Sequence, residues 1–163
     1  MEGGIVSIRL EHNSVVNFRF ADLPIVGSGA ARRINVAALR DWIMVDQHDH
    51  AFIEAAQSMP KQGIASAFRY GRAAGMLEAV VVCCNIPFTL IAPRSWKKFF
   101  NLKGSDKELS RQLAIRRYPC AASALVLHRH HGRAEALLLA AYGATLLTPA
   151  APEHPPEAQV LLK

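Results

Sequence analysis

Apolar and polar positions alternate over "GIVSIRL", residues 4 to 10, and "VVNFRFAD", residues 15 to 22. The turn-like "EHNS" separates these β-rich runs, and together they predict an antiparallel hairpin. "LPIVGSGAARR" reads as a loop, after which Asn35 is placed to cap a short helix. "AFIE", residues 51 to 54, predicts a buried strand that ends on a glutamate. Beyond the turn "SMPKQG", residues 64 to 84 carry a helical period. Ile64, Phe68, Leu77 and Val81 share one face of it, and Gly71 and Gly75 are suited to close packing. "IPFTLIAP" is a continuous apolar strand, 86 to 92, closed by Pro93. "RSWKKFFNL" and "SDKELSRQLAIRRY" read as helices, the second with Ser105 and Glu108 at capping-box spacing. A last helix is expected from about Arg133 to Leu147. Strands alternating with helices in the middle imply a parallel α/β core behind the hairpin.

Composition narrows the class. A chain of 163 residues, 51% hydrophobic and 20% charged, is sized for one globular domain, expected over 1–147. The proline-rich 148–163 reads as an unstructured tail. No apolar run reaches membrane-span length, and "MEGGIVSIRL" lacks the pattern of a secretory signal. Three cysteines, two of them adjacent, make no disulfide framework, so buried thiols in a reducing cytoplasm are expected. A net charge of +6 and a pI of about 9.6 favour a polyanionic partner.

The chemistry-bearing residues fall into three groups. Glu54 ends a strand, where open α/β sheets place their ligands, and Glu135 lies one turn into the last helix. Two acids from separate elements suit Mg²⁺, although an arginine partner or a helix dipole would equally explain either one. His128, His130 and His131 offer imidazoles but no second cluster at structural-zinc spacing. The basic residues Lys61, Arg69, Arg72, Lys97, Lys98, Lys103, Lys107 and Arg111 are interleaved with Trp96, Phe99 and Phe100. That combination fits phosphate contacts with aromatic stacking, as well as ordinary solvated helix faces.

A longer pattern joins these pieces. A strand ending in I-E, "MPKQG" leading to "FRYGRAAG", "PRSWKKFF", "DKELSR" and "GRAEALLLAAYG" resembles the RuvC-type Holliday junction resolvases over about residues 3 to 147. The resemblance implies an RNase H-like three-layer α/β fold, a mixed central sheet with helices on both faces. It implies a cytoplasmic homodimer that cuts four-way DNA junctions by two-metal phosphodiester hydrolysis with Mg²⁺, for which Mn²⁺ can substitute. Glu54 and Glu135 match two of the family's metal-binding acids, and His131 (or His130) stands where the family carries an aspartate. Lys61, Arg69, Lys97, Lys98 and Lys107 would lie near DNA phosphates. The family's first strand, ending in a metal-binding aspartate, has no counterpart ahead of "GGIVSI". The expectation is an internal start, with a valine codon read as initiator, and low stability and impaired cleavage for the shortened chain. A binding protein of the same fold without catalysis is the alternative.

Overall fold

The structure is a computed structural model that describes residues 3–12, 14–57, 63–102 and 107–147. It is a mixed α/β arrangement. β1 (Gly4–Glu11) and β2 (Ser14–Asp22) form the expected antiparallel hairpin. Because successive side chains of a strand point to opposite faces, β1 serves two apolar clusters: Ile5 packs into one, Val6 and Ile8 into the other.

The segment read as a loop is more ordered than expected. Gly27 and Gly29 take positive φ, 84° and 51°, which glycine adopts without a Cβ penalty. The chain thereby doubles back, pairing β3 (Ile25–Val26) with β4 (Arg33–Ile34) and burying Ile34. The Asn35 side chain then accepts from the Ala38 amide at 3.2 Å, capping α1 (Val36–Ile43) as its residue type predicted.

β5 (Ala51–Glu54) and β6 (Phe88–Ile91) pair in parallel, joined across α2 (Ile64–Cys83). The apolar face expected along α2 holds only in its later turns. Val80 and Val81 are buried, whereas Ile64 and Phe68 are 89% and 69% exposed. Gly71 and Gly75 face open space, so neither makes the close contact expected of it. Close approach occurs on α5 (His131–Leu147) instead. Its Gly132 meets Gly3 and Gly4 at the start of β1, and a Cβ on Gly143 would run into the Phe52 ring.

α3 (Pro93–Phe99) starts with proline in its first turn, where the missing N–H costs nothing, and α4 (Lys107–Arg117) follows. Ser105, Lys61, Lys103 and the tail 148–163 lie outside the described residues. Cys83 and Cys120 are exposed and Cys84 is half-buried, which replaces the expectation of buried thiols.

Trp96, Phe100, Ala114, Leu125, Leu137 and Leu138 form the larger cluster, beneath α3, α4 and α5. Ile34, Leu39, Ala73 and Val80 form the smaller, under α1 and α2. The described strands make three separate pairs rather than one mixed sheet. Among the described residues β1 bonds only to β2 and β5 only to β6, and a cavity of about 660 Å³ lies between the two pairs. No helix among the described residues is long and apolar enough to cross a membrane.

Candidate active site

The cavity between β1 and β5 gathers the residues that chemistry singled out. Glu54, the last residue of β5, lines it from one side. His131 and Glu135 line it from α5, four residues apart and therefore on one helix face. Lys107, the first residue of α4, and Tyr70 of α2 also border it. α5 begins two residues earlier than the sequence suggested, which puts Glu135 beyond the first turn. The helix dipole falls off within that turn, so it does not explain an acid here.

Electrostatics ties the acids together. Burial pushes the Glu135 carboxyl above the usual range. The Lys97 charge pulls it down, Glu54 pushes it up, and His131 and Lys107 lower it again. Tyr70 is raised by burial first and then by the charge of Glu54. A carboxyl whose charge is disfavoured by burial and by a neighbouring acid, beside Lys97 and Lys107, sits in an environment that a divalent ion would relieve.

Glu54 is also held in place. Its Oε2 accepts a hydrogen bond from Trp96 Nε1 at 2.9 Å, and Trp96 is 1% exposed. A buried indole N–H needs an acceptor, and this one fixes which way the carboxylate faces. In the sequence Trp96 stands out only as an aromatic beside Lys97 and Lys98. Nothing local in "PRSWKKFF" marks Trp96 as this donor, because its partner lies 42 positions away in the sequence.

The histidines separate by direction. His131 faces the cavity, whereas His130 does not line it; the backbone N–H of Leu127 donates to His130 Nδ1 at 3.3 Å. Burial, with the charge of Arg133 next, lowers the His130 pKa. His128 is exposed, near Glu108. No group of three or more His, Cys, Asp or Glu side chains among the described residues is arranged to hold a metal ion. Glu54 and Glu135 are the glutamates that line this cleft, together with His131.

The basic residues divide too. Lys97 is half-buried with its ammonium 5.3 Å from the Trp96 ring, while Lys98, Arg69 and Arg72 are exposed on α3 and α2. Arg111 is engaged internally: it forks onto Glu108 at 2.6 and 3.0 Å and donates to the Leu125 and Val126 carbonyls. This clamp holds Glu108 down at about 2, with Gln112 adding a further hydrogen bond. Arg133 forms a second clamp onto Asp22, at 2.7 and 3.0 Å, which ties α5 to the end of β2.

Scans against models of known protein families and against curated protein sequences give no match to this chain.

Proposed function

We propose that this chain is a metal-dependent endonuclease for branched DNA, of the RuvC-like kind that its motifs resemble. The reading includes an RNase H-like arrangement and action as a cytoplasmic homodimer on four-way junctions. The observation that carries it is the meeting of Glu54 and Glu135, from a strand end and a separate helix, in one cleft with His131.

The division of labour follows from the residues. Glu54, oriented by the Trp96 indole, and Glu135 would hold the cation. When bound, Mg²⁺ supplies charge stabilisation on the scissile phosphodiester and lowers the pKa of an attacking water. His131, one turn before Glu135, would bring an imidazole nitrogen to the same wall. Lys97 and Lys107, close enough to influence Glu135, would meet the phosphates of the strand being cut, and Lys98, Arg69 and Arg72 those further out. The clamp on Arg111 makes it part of the frame rather than of this surface.

A second reading, a junction-binding protein that does not cut, is favoured by the lack of a three-ligand group among the described residues. A synthetic four-way junction separates the two. Cutting in Mg²⁺ or Mn²⁺, abolished by Glu54→Gln with binding retained, is the expected result. Tight binding with no cutting in either metal supports the second reading, and absence of junction binding overturns both.

A further inference from the structure

Tyr70 borders the cleft but has no part in the division of labour above. Its place follows from the crossover. β5 and β6 run parallel, so the helix that joins them returns against their direction. The first turns of α2 therefore lie over the end at which β5 finishes. Tyr70 stands in the second turn of α2, and helical side chains lean towards the N-terminus of their helix. Both effects bring its hydroxyl towards Glu54, the last residue of β5, and the Glu54 charge acts on it.

The α2 residues that line the cleft are Tyr70, Ala73, Ala74, Leu77 and Val81, the spacing of one helix face. Tyr70 alone among them brings a polar group. Ala73 and Val81 are buried, whereas Tyr70 is 41% exposed and reachable by a ligand. Among the described residues nothing hydrogen-bonds its hydroxyl, so the donor is available. A phenol beside a bound phosphodiester can serve as covalent nucleophile or as hydrogen-bond donor. A nucleophile must first lose its proton. Burial, and after it the charge of Glu54, push the Tyr70 pKa above its ordinary 10, which keeps the phenol protonated at neutral pH. Donation is the role left to it.

We propose that Tyr70 is a substrate-binding residue whose hydroxyl donates a hydrogen bond to a non-bridging oxygen of the phosphodiester held beside Glu54. This role rests on the junction-cutting reading above. It adds a neutral donor to a wall where Lys97 and Lys107 supply charge. A phenol brings that donor without the charge by which an ammonium would pair with Glu54.

Tyr70→Phe keeps the ring and removes only the hydroxyl. It is compared with the unsubstituted chain in single-turnover cutting of a synthetic four-way junction in Mg²⁺. Two further junctions carry sulfur at one or the other non-bridging oxygen of the scissile linkage. Tyr70→Phe should cut roughly tenfold or more slowly, the scale of a hydrogen bond to a charged group. Sulfur at one of the two oxygens should slow the unsubstituted chain more than Tyr70→Phe, because the variant has already lost that contact. A general loss of folded protein would scale all junctions alike, so the ratio of rates isolates the contact. Equal cutting by the two chains overturns the role, and so does an equal sulfur effect in both chains at both oxygens. If the unsubstituted chain binds the junction without cutting, the contact is read as affinity. Binding roughly tenfold weaker in Tyr70→Phe then supports the role, and equal affinity overturns it. Failure of the unsubstituted chain to bind the junction at all overturns the parent reading and this role together, a result distinct from any difference between the two chains.

Discussion

Glu135 and Trp96 carry the most chemistry at the scale of single residues. Burial raises the Glu135 pKa above its ordinary 4.5. A raised acid favours the fold in its protonated form: that contribution is complete below the ordinary carboxylate pKa and is lost as pH rises through the folded value. At neutral pH the folded chain therefore bears an unfavourable charge that glutamine would remove. Glu135→Gln should raise Tm by ~2–4 °C at neutral pH, the response to about 1 kcal/mol in a domain of this size. Thermal melts at acid pH, below the ordinary carboxylate range, should show no difference; a gain of the same size there would point to packing instead. Millimolar Mg²⁺ should raise the Tm of the unsubstituted chain and leave Glu135→Gln nearly unchanged, because only a ligand with a site in the folded state stabilises it. Trp96→Phe keeps most of the ring but removes the donor to Glu54. It should cost ~1–3 kcal/mol in urea melts, the range for a hydrogen bond to a charged group, and raise the Mg²⁺ concentration needed for cutting. A stability loss with unchanged metal dependence would make Trp96 a packing residue only.

At the scale of elements, α5 is the tie between the strand pairs, and its glycines explain how it comes so close. A methyl group on Gly143 must displace the Phe52 ring, and one on Gly132 meets the backbone of Gly3 and Gly4. Alanine at Gly143 should therefore cost ~1–3 kcal/mol, the usual penalty of overpacking. Alanine at Gly71 or Gly75 of α2, both facing open space, should add roughly 0.5–1 kcal/mol each, since alanine restricts the unfolded chain more. Urea denaturation of the three single variants checks the contrast, and similar losses at all three would refute it. The same contrast marks what was legible in the sequence. The hairpin, the βαβ unit, the Asn35 cap and the strand ending at Glu54 follow local rules of alternation, capping and run length. Which glycine lies against which strand depends on how helices stack on strands, and no local period encodes that. The small β3–β4 pair escaped for a related reason: two-residue strands have no periodicity, and only the positive φ at Gly27 and Gly29 makes them possible.

At the scale of the whole molecule, the acids are central and the cations that matter surround them. Arg19, Arg111 and Arg133 are held by Asp46, Glu108 and Asp22, so they add little net field. The excess positive charge is left to the other basic residues, Lys97, Lys98, Lys107, Arg69 and Arg72 among them. The sequence identified these as basic helix positions, but the division between framework arginines and the rest rests on long-range pairs such as Arg133 with Asp22, which are 111 positions apart. If about five of these cations neutralise phosphates, junction affinity should fall on the order of 10²–10³-fold between 50 and 200 mM salt. Replacing Lys98 with Gln should reduce the slope of log affinity against log salt by about 0.9, the share of one phosphate contact. Replacing Arg111 with Gln should behave differently: it breaks the clamp to Glu108 and the Leu125 carbonyl, lowering stability while leaving that slope intact. Salt titrations of junction binding on the folded variants decide between these outcomes. A slope unchanged by Lys98→Gln but reduced by Arg111→Gln would mean that the DNA-facing surface lies on the opposite set of cations.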